Sequence, residues 1–289
     1  MEYIFLIDSC ADLPVGFVEE NSIKYLSLKY NINGMEHEDD FGKNLSYKEF
    51  YNGMRAGADT STSQINVQRY YEEFKRWTEK GYAIVYIGFS SGLSGSVNSA
   101  HIAENDLKEE GLGNNIYIVD SRCASLGYGL LVYYAILQKK KGASVEEIVK
   151  FAEKLKLRIN HYFTVEDLVY LYRGGRVSRA AKTVGTLLDI KPVLHVDDAG
   201  KLIPLYKVKG RKKSIKALYT NMEERIEDFE DNTIAISHGD CIEDVNYLVS
   251  LIRDKFPSNK IIINNVGPVI GSHSGPGTMA LFFVSKGRN

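Results

Sequence analysis

Cysteine is scarce. Cys10, Cys123 and Cys241 are the only three in 289 residues, too few and too widely spaced for a disulfide framework, and none sits in a CxxC pair or a zinc-ligand spacing. A reducing compartment fits that usage. An excess of one charge sign is missing too. The 36 Lys and Arg against 37 Asp and Glu leave a formal net charge of −1, which argues against the extended phosphate-neutralising face that nucleic-acid binding requires, so no nucleic-acid partner is expected. No stretch reaches the ~18 apolar residues of a membrane span, and no basic leader precedes the short apolar run Tyr3 to Ile7; a soluble, cytoplasmic protein is expected. There is also no low-complexity linker, no internal repeat and no Walker-type phosphate loop, the last arguing against ATP binding by the chain itself.

What is present is an ordinary folded composition, 44% apolar and 25% charged. A chain of this length is expected to form two domains, placed here at 1–159 and 160–289. In the first, Tyr3 to Ile7, Ile84 to Ile87 and Ile116 to Val119 read as buried strands, each followed by a helical pattern, which predicts a parallel α/β sheet. Ser46 is positioned to cap the helix opening at Tyr47. Val67 to Trp77 reads as amphipathic and Leu126 to Leu137 as a buried helix, and Ser144-Val145-Glu146-Glu147 has the form of a capping box. After about residue 160, short strands near Ile190 to Val196, Lys201 to Leu205, Ile234 to Ser237 and Ile261 to Asn264 alternate with two helices. That order predicts a mixed α/β sandwich.

Several segments could carry chemistry. Ile84 to Ser96 reads as a strand entering a Gly/Ser loop that opens a helix, so amides and the Ser94 hydroxyl could hold an anion; a capped turn without ligand is the plain alternative. Gly92-Leu93-Ser94-Gly95-Ser96 is not a GxSxG elbow, which lowers a hydrolase reading. Thr60-Ser61-Thr62-Ser63-Gln64 precedes a helix, where hydroxyl residues most often serve as caps. Asp8, Asp12 and Asp120 follow strands at the carboxyl end of a parallel sheet, where such sheets bind ligands, yet no histidine completes a metal set, and neither a metal nor a cofactor is assigned. Gly271 to Thr278 reads as a second glycine-rich loop presenting His273, while His101 and His161 look like surface or packing positions. Arg173-Gly174-Gly175-Arg176 turns the chain beside a guanidinium that could steer an acidic ligand or join the two halves. Lys207, Lys209, Arg211, Lys212, Lys213 and Lys216 form a basic run that is either solvated surface or a landing site for an acidic partner or anionic membrane.

In order and spacing, Asp8-Ser9 with Ala11-Asp12-Leu13, Thr62-Ser63-Gln64, Ser91 to Gly95, Asp120-Ser121, Glu166 to Arg176, Lys191-Pro192 and Gly271 to Gly277 together resemble the DegV family along nearly the whole chain. The resemblance implies a two-domain α/β fold related to the dihydroxyacetone-kinase subunit, with a fatty acid held between the domains. It also implies the binding role in a bacterial fatty acid kinase, where a separate ATP-binding subunit phosphorylates the presented carboxylate. Carried over, the carboxylate site falls on Thr62, Ser94, the Gly95 amide and His273, with Arg176 nearby. Ile65, Ser96 and Ser274 depart from the family pattern, standing where proline, threonine and threonine are frequent.

The expectation is therefore a carrier that takes a long-chain fatty acid from the membrane, in transient contact, and offers its head group to a kinase. Lys209, Arg211, Lys212 and Lys213 are the candidate docking residues. Burying about 15 methylenes at roughly 0.8 kcal/mol each offers on the order of 12 kcal/mol before ordering costs, so the tail would dominate affinity and the head-group contacts would fix orientation. The alternatives are an enzyme proper, either a lipid-ester hydrolase using Ser94 and His273 or a kinase-like subunit for a small hydroxy-ketone, and a lipid-responsive regulator.

Overall fold

The computed structural model describes residues 2–177 and 189–288. The first half runs β1 (Tyr3–Asp8), α1 (Val15–Glu20), β2 (Lys24–Leu26), β3 (Lys29–Ile32), β4 (Met35–Glu38), α2 (Tyr47–Arg55), β5 (Thr60–Ser63) and α3 (Val67–Thr78). It continues through β6 (Ala83–Gly88), α4 (Ser96–Glu109), β7 (Ile116–Asp120), α5 (Ser125–Lys140) and α6 (Val145–Leu155). Strands β2, β1, β6 and β7 form a parallel sheet in that order. Every residue of β6 is buried, as a parallel strand covered on both faces requires, which is why its sequence reads as a continuous apolar run. Both expected caps form: Ser46 with Glu49 and Ser144 with Glu147 close reciprocal capping boxes.

The second half runs β8 (Ile159–Thr164), α7 (Val169–Arg173), β9 (Ile190–Val196), β10 (Leu202–Lys209), α8 (Arg211–Glu223), β11 (Ile234–His238), α9 (Ile242–Lys255), β12 (Ile261–Asn265), α10 (Pro268–Ser274) and β13 (Met279–Val284). Its six strands order as β10-β9-β8-β13-β11-β12, antiparallel except for β11 with β12. The expected fold class, α/β with a parallel first sheet and a mixed second one, is thus present.

Helix α5 lies between the sheets. Residues 125 to 136 are buried without a break, the signature of a helix covered on all sides. Tyr128 accepts the Asp8 amide at 3.0 Å on the first-sheet side, while Tyr134 accepts the Thr233 amide at 3.1 Å ahead of β11. Residues of both halves therefore share one core, and a second apolar cluster fills the far face of the mixed sheet beneath α8 and α9.

Two readings are corrected. Thr60 to Ser63 does not cap the following helix; it is strand β5 of a small antiparallel sheet ordered β4-β3-β5, and α3 is capped by Asn66, which accepts the Arg69 amide at 3.0 Å. Residues 271–277 are not wholly a loop, because Pro268 at the first turn starts a short helix that carries His273 in its last turn.

Candidate functional site

The Ser90 to Gly95 segment leaves the carboxyl end of β6 and enters α4, and carboxylates at the ends of β1 and β7 fix its course. Asp8 accepts the Phe89 amide at 2.8 Å and the Tyr86 hydroxyl at 3.1 Å, while Asp120 accepts the amides of Ser91 at 3.2 Å and Arg122 at 3.1 Å. Burial raises the Asp8 carboxyl to about 6 even against those donors. The carboxylates at the end of the sheet thus spend their acceptors on the loop. From the second half, Gly200 accepts the Ser90 hydroxyl at 2.8 Å.

Within this loop Ser94 Oγ lies 3.0 Å from Ser96 Oγ, and Ser96 Oγ also accepts the Ile65 amide at 3.2 Å, joining the loop to the end of β5. Among the described residues the Gly95 amide has no protein acceptor. Gly95 is required by contact rather than by backbone angle: at φ −77° any residue would fit, but a Cβ there would lie 2.2 Å from Gln64 Oε1. Gln64 is itself anchored by donating to Ser99 Oγ at 3.2 Å.

Opposite stands His273. Its Nε2 is 2.7 Å from Thr62 Oγ1, bringing two of the expected residues into contact across 211 positions of sequence. Its Nδ1 is buried without a partner and packs against Gly174, where a Cβ would lie 2.0 Å away. Burial, with the Arg176 guanidinium second, lowers the imidazole to about 4, so it is neutral at neutral pH. Arg176 donates through Nε and Nη2 to the Leu93 carbonyl at 3.2 and 3.1 Å and through Nη1 to Gly174. It sets positive charge between the Ser94 loop and the turn after α7. The pairing of His273 is with Thr62, and the hydroxyl next to Ser94 is Ser96.

Thr62, Ser94, Gly95, Arg176 and His273 all line one cavity of about 650 Å³ between the two sheets. Most of its wall is apolar, with Phe89, Leu93, Phe163, Leu171, Val269 and Phe282 among the contributors. A volume of that size holds about 20 chain groups at the ~30 Å³ of a water-sized unit. The remaining wall residues include His161, which is a buried packing position, the second of the two alternatives expected for it; Ile159 O lies 3.1 Å from its Nδ1, and its Nε2 accepts the Ala124 amide at 3.2 Å.

The basic run divides. Lys207 and Lys209 are exposed on the edge strand β10, and Lys212, Lys213 and Lys216 are exposed on α8. Arg211 turns inward. It pairs with Asp244 at 2.8 Å and Glu166 at 3.2 Å and donates to the Gly277 carbonyl at 2.6 Å, which fastens the start of α8 to the turn after α10. Sequence reasoning passed over Gln64, Gly174, Ser274 and His161 as site residues. Gln64, Ser274 and Gly174 lie inside motifs the sequence does display, Gly174 touching His273 rather than the cavity, whereas His161 reaches the cavity through long-range packing. Among the described residues no cluster of three or more metal-ligating side chains occurs, and no helix is long and apolar enough to cross a membrane.

Comparison with known proteins gives one answer. The family model described as uncharacterised proteins of the DegV family matches residues 5–286. A DegV domain-containing protein of Clostridium perfringens is 47% identical over 283 residues, spanning 98% of this chain and 97% of the relative. Among solved structures, a Thermotoga maritima protein described as revealing fatty acid binding function superposes with a TM-score of 0.82 at 30% identity, covering 99% of both chains. The structure of DegV from Bacillus subtilis, described as a fatty acid binding protein, does so with a TM-score of 0.83 at 28% identity, covering 99% of this chain and 100% of that one.

Proposed function

Because this chain belongs to the DegV family, we propose that it binds a long-chain fatty acid in the cavity between its sheets and presents the carboxylate to a separate ATP-binding fatty acid kinase subunit. The observation that carries this reading is an apolar cavity of about 650 Å³ whose wall includes a small group of donors, Thr62, Ser94 and the Gly95 amide, beside Arg176. An alkyl chain fills the apolar part. A carboxylate buried there needs donors, and those groups supply them.

The neutral imidazole orders the donors. When His273 Nε2–H donates to Thr62 Oγ1, the Thr62 hydroxyl proton is left for the carboxylate and only a lone pair faces Gly174, a smaller cost than a stranded N–H. His273 therefore acts through Thr62. Arg176, its N–H groups given to carbonyls, contributes charge rather than a direct clamp. The division of the chain at 159/160 belongs to the same reading, falling within one residue of the start of β8 at Ile159. So do a cytoplasmic setting and transient contact with a membrane surface.

The exposed Lys209, Lys212 and Lys213 are the proposed contacts for the kinase or an anionic membrane, with Arg211 holding α8 in place beneath them. Charge at such a surface raises association rate more than affinity. The decisive experiment is mass spectrometry of the organic extract of purified protein, run beside Ser94→Ala. A stoichiometric long-chain fatty acid in the wild type, depleted in the variant, is the expected result; an empty wild type would sink the proposal.

A further inference from the structure

Within the cavity of the proposed fatty-acid site, one part of the wall is more polar than a plain alkyl chain would use. Ser237 on β11 and Ser274 on α10 both line it, with 0% and 4% of their surface exposed. Ser274 Oγ has no hydrogen-bond partner among the described residues. Ser237 Oγ has one, the Ser125 hydroxyl at 2.8 Å, which in turn bonds the buried Asp12 carboxyl. Each hydroxyl in that chain has a single proton. With Asp12 ionised, Ser125 donates to it and Ser237 donates to Ser125, leaving the Ser237 lone pairs open. With Asp12 protonated the order reverses and the Ser237 proton is open. Either way Ser237 keeps an unused hydrogen-bonding function.

The two serines belong to one neighbourhood. Thr278 Oγ1 donates to the Ser274 carbonyl at 3.0 Å, Gly239 N donates to the Thr278 carbonyl at 2.8 Å, and Ser237 lies two residues before Gly239 on β11. The polar neighbours are already spent. His161 uses both ring nitrogens on backbone groups, and Thr278 gives its proton to backbone carbonyls at 3.0 and 2.8 Å. Ser274 is adjacent to His273, yet one residue along a helix turns the side chain by about 100°. It therefore faces a different part of the wall from the Thr62 contact.

Buried hydroxyls are disfavoured unless something bonds them. Resting on the fatty-acid reading of the site, the geometry points to a ligand whose acyl chain carries its own oxygen, a hydroxy or oxo long-chain carboxylic acid, bonded at Ser237 and Ser274. A hydroxyl on such a chain both accepts and donates, matching Ser237 in either state of Asp12, whereas an oxo group only accepts and matches Ser237 when Asp12 is protonated.

The test is titration of delipidated protein with stearic acid and with a positional series of monohydroxystearic acids, in the wild type, Ser237→Ala and Ser274→Ala. One hydroxy isomer is expected to bind wild type roughly tenfold more tightly than stearic acid, the gain of about one well-made hydrogen bond. In at least one alanine variant that ratio falls to about one. Ser274→Ala removes no bond within the protein, so it stays informative if Ser237→Ala disturbs the Asp12 chain. The inference is overturned if every isomer binds wild type no better than stearic acid, the fatty-acid reading then standing alone, or if the preference survives in both variants. Failure of all the acids, stearic included, would overturn both.

Discussion

At the scale of single residues, the imidazole of His273 depends on a neighbour with no side chain. Gly174 has φ −71°, so alanine is tolerated by the backbone, but its Cβ would meet His273 Nδ1 at 2.0 Å. Gly174→Ala is expected to push the ring off Thr62 and weaken fatty-acid binding roughly tenfold with little change in fold. Displacement of a fluorescent fatty acid, paired with a melting curve, separates the two effects. Asp39 makes a second prediction. Burial raises its carboxyl to about 7, so the folded protein holds a proton that the unfolded chain, near 3.9, releases. Its favourable contribution is complete below about pH 4 and lost as pH rises through about 7, up to ~4 kcal/mol over those three or so units. Asp8 and Asp12 are shifted in the same direction, whereas His273, lowered to about 4, adds stability that is lost as pH falls from about 6.5 toward about 4. Urea unfolding at about pH 5 and about pH 8 should show wild type losing stability at the higher pH and Asp39→Asn losing clearly less. An unchanged loss would assign the slope to the other carboxyls.

At the scale of elements, the site is the meeting of the α4 entrance, the end of β5 and the short helix α10. The interlock of Gly95 with Gln64 holds the first two together. Gly95→Ala is expected to abolish retention of extracted lipid, and Gly95→Ala combined with Gln64→Ala to restore part of it by removing the obstruction; failure of the pair to recover anything would show that the Gly95 backbone, rather than the space beside it, is what matters. This level also shows what the sequence could reveal. The strands β1, β6 and β7, the helix α5, the Ser46 cap and the Ser144 capping box were legible because each is written in contiguous residues: apolar runs, or a serine at a helix start, for Ser144 with a glutamate three positions on. The small sheet β4-β3-β5 was not, since Met35–Glu38 and Thr60–Ser63 carry almost no apolar pattern and their pairing is long-range. Nor were β8 and β13, the central strands of the mixed sheet, picked out, although Met279–Val284 is a contiguous apolar run of the same kind. Ile159–Thr164 contains Asn160 and His161, polar residues that only tertiary hydrogen bonds make compatible with burial. Thr62, Ser94, Gly95, Arg176 and His273 do converge on one cavity, but it was the family resemblance, with the Gly/Ser loop and the glycine-framed histidine as local cues, that selected them.

For the whole molecule, a ligand between the sheets is part of the core. Anything that binds only the folded state stabilises it by RT ln(1 + [L]/Kd), about 2.7 kcal/mol at a hundredfold excess over Kd. Stripped protein should therefore melt several degrees lower than protein with a saturating long-chain fatty acid, and methyl ester of the same acid, lacking the carboxylate, should restore less. Equal protection by acid and ester would remove any role for the head-group donors. Helix α5 extends the thought. It comes from the first half of the chain, yet its tyrosines are tied to both halves, so cutting the polypeptide after residue 159 would uncover one side of a helix that is buried from residue 125 to residue 136. The two halves can be told apart by their strand connections, but because they share one core the chain is expected to unfold in a single step, and two separated melting transitions would show that each half stands alone.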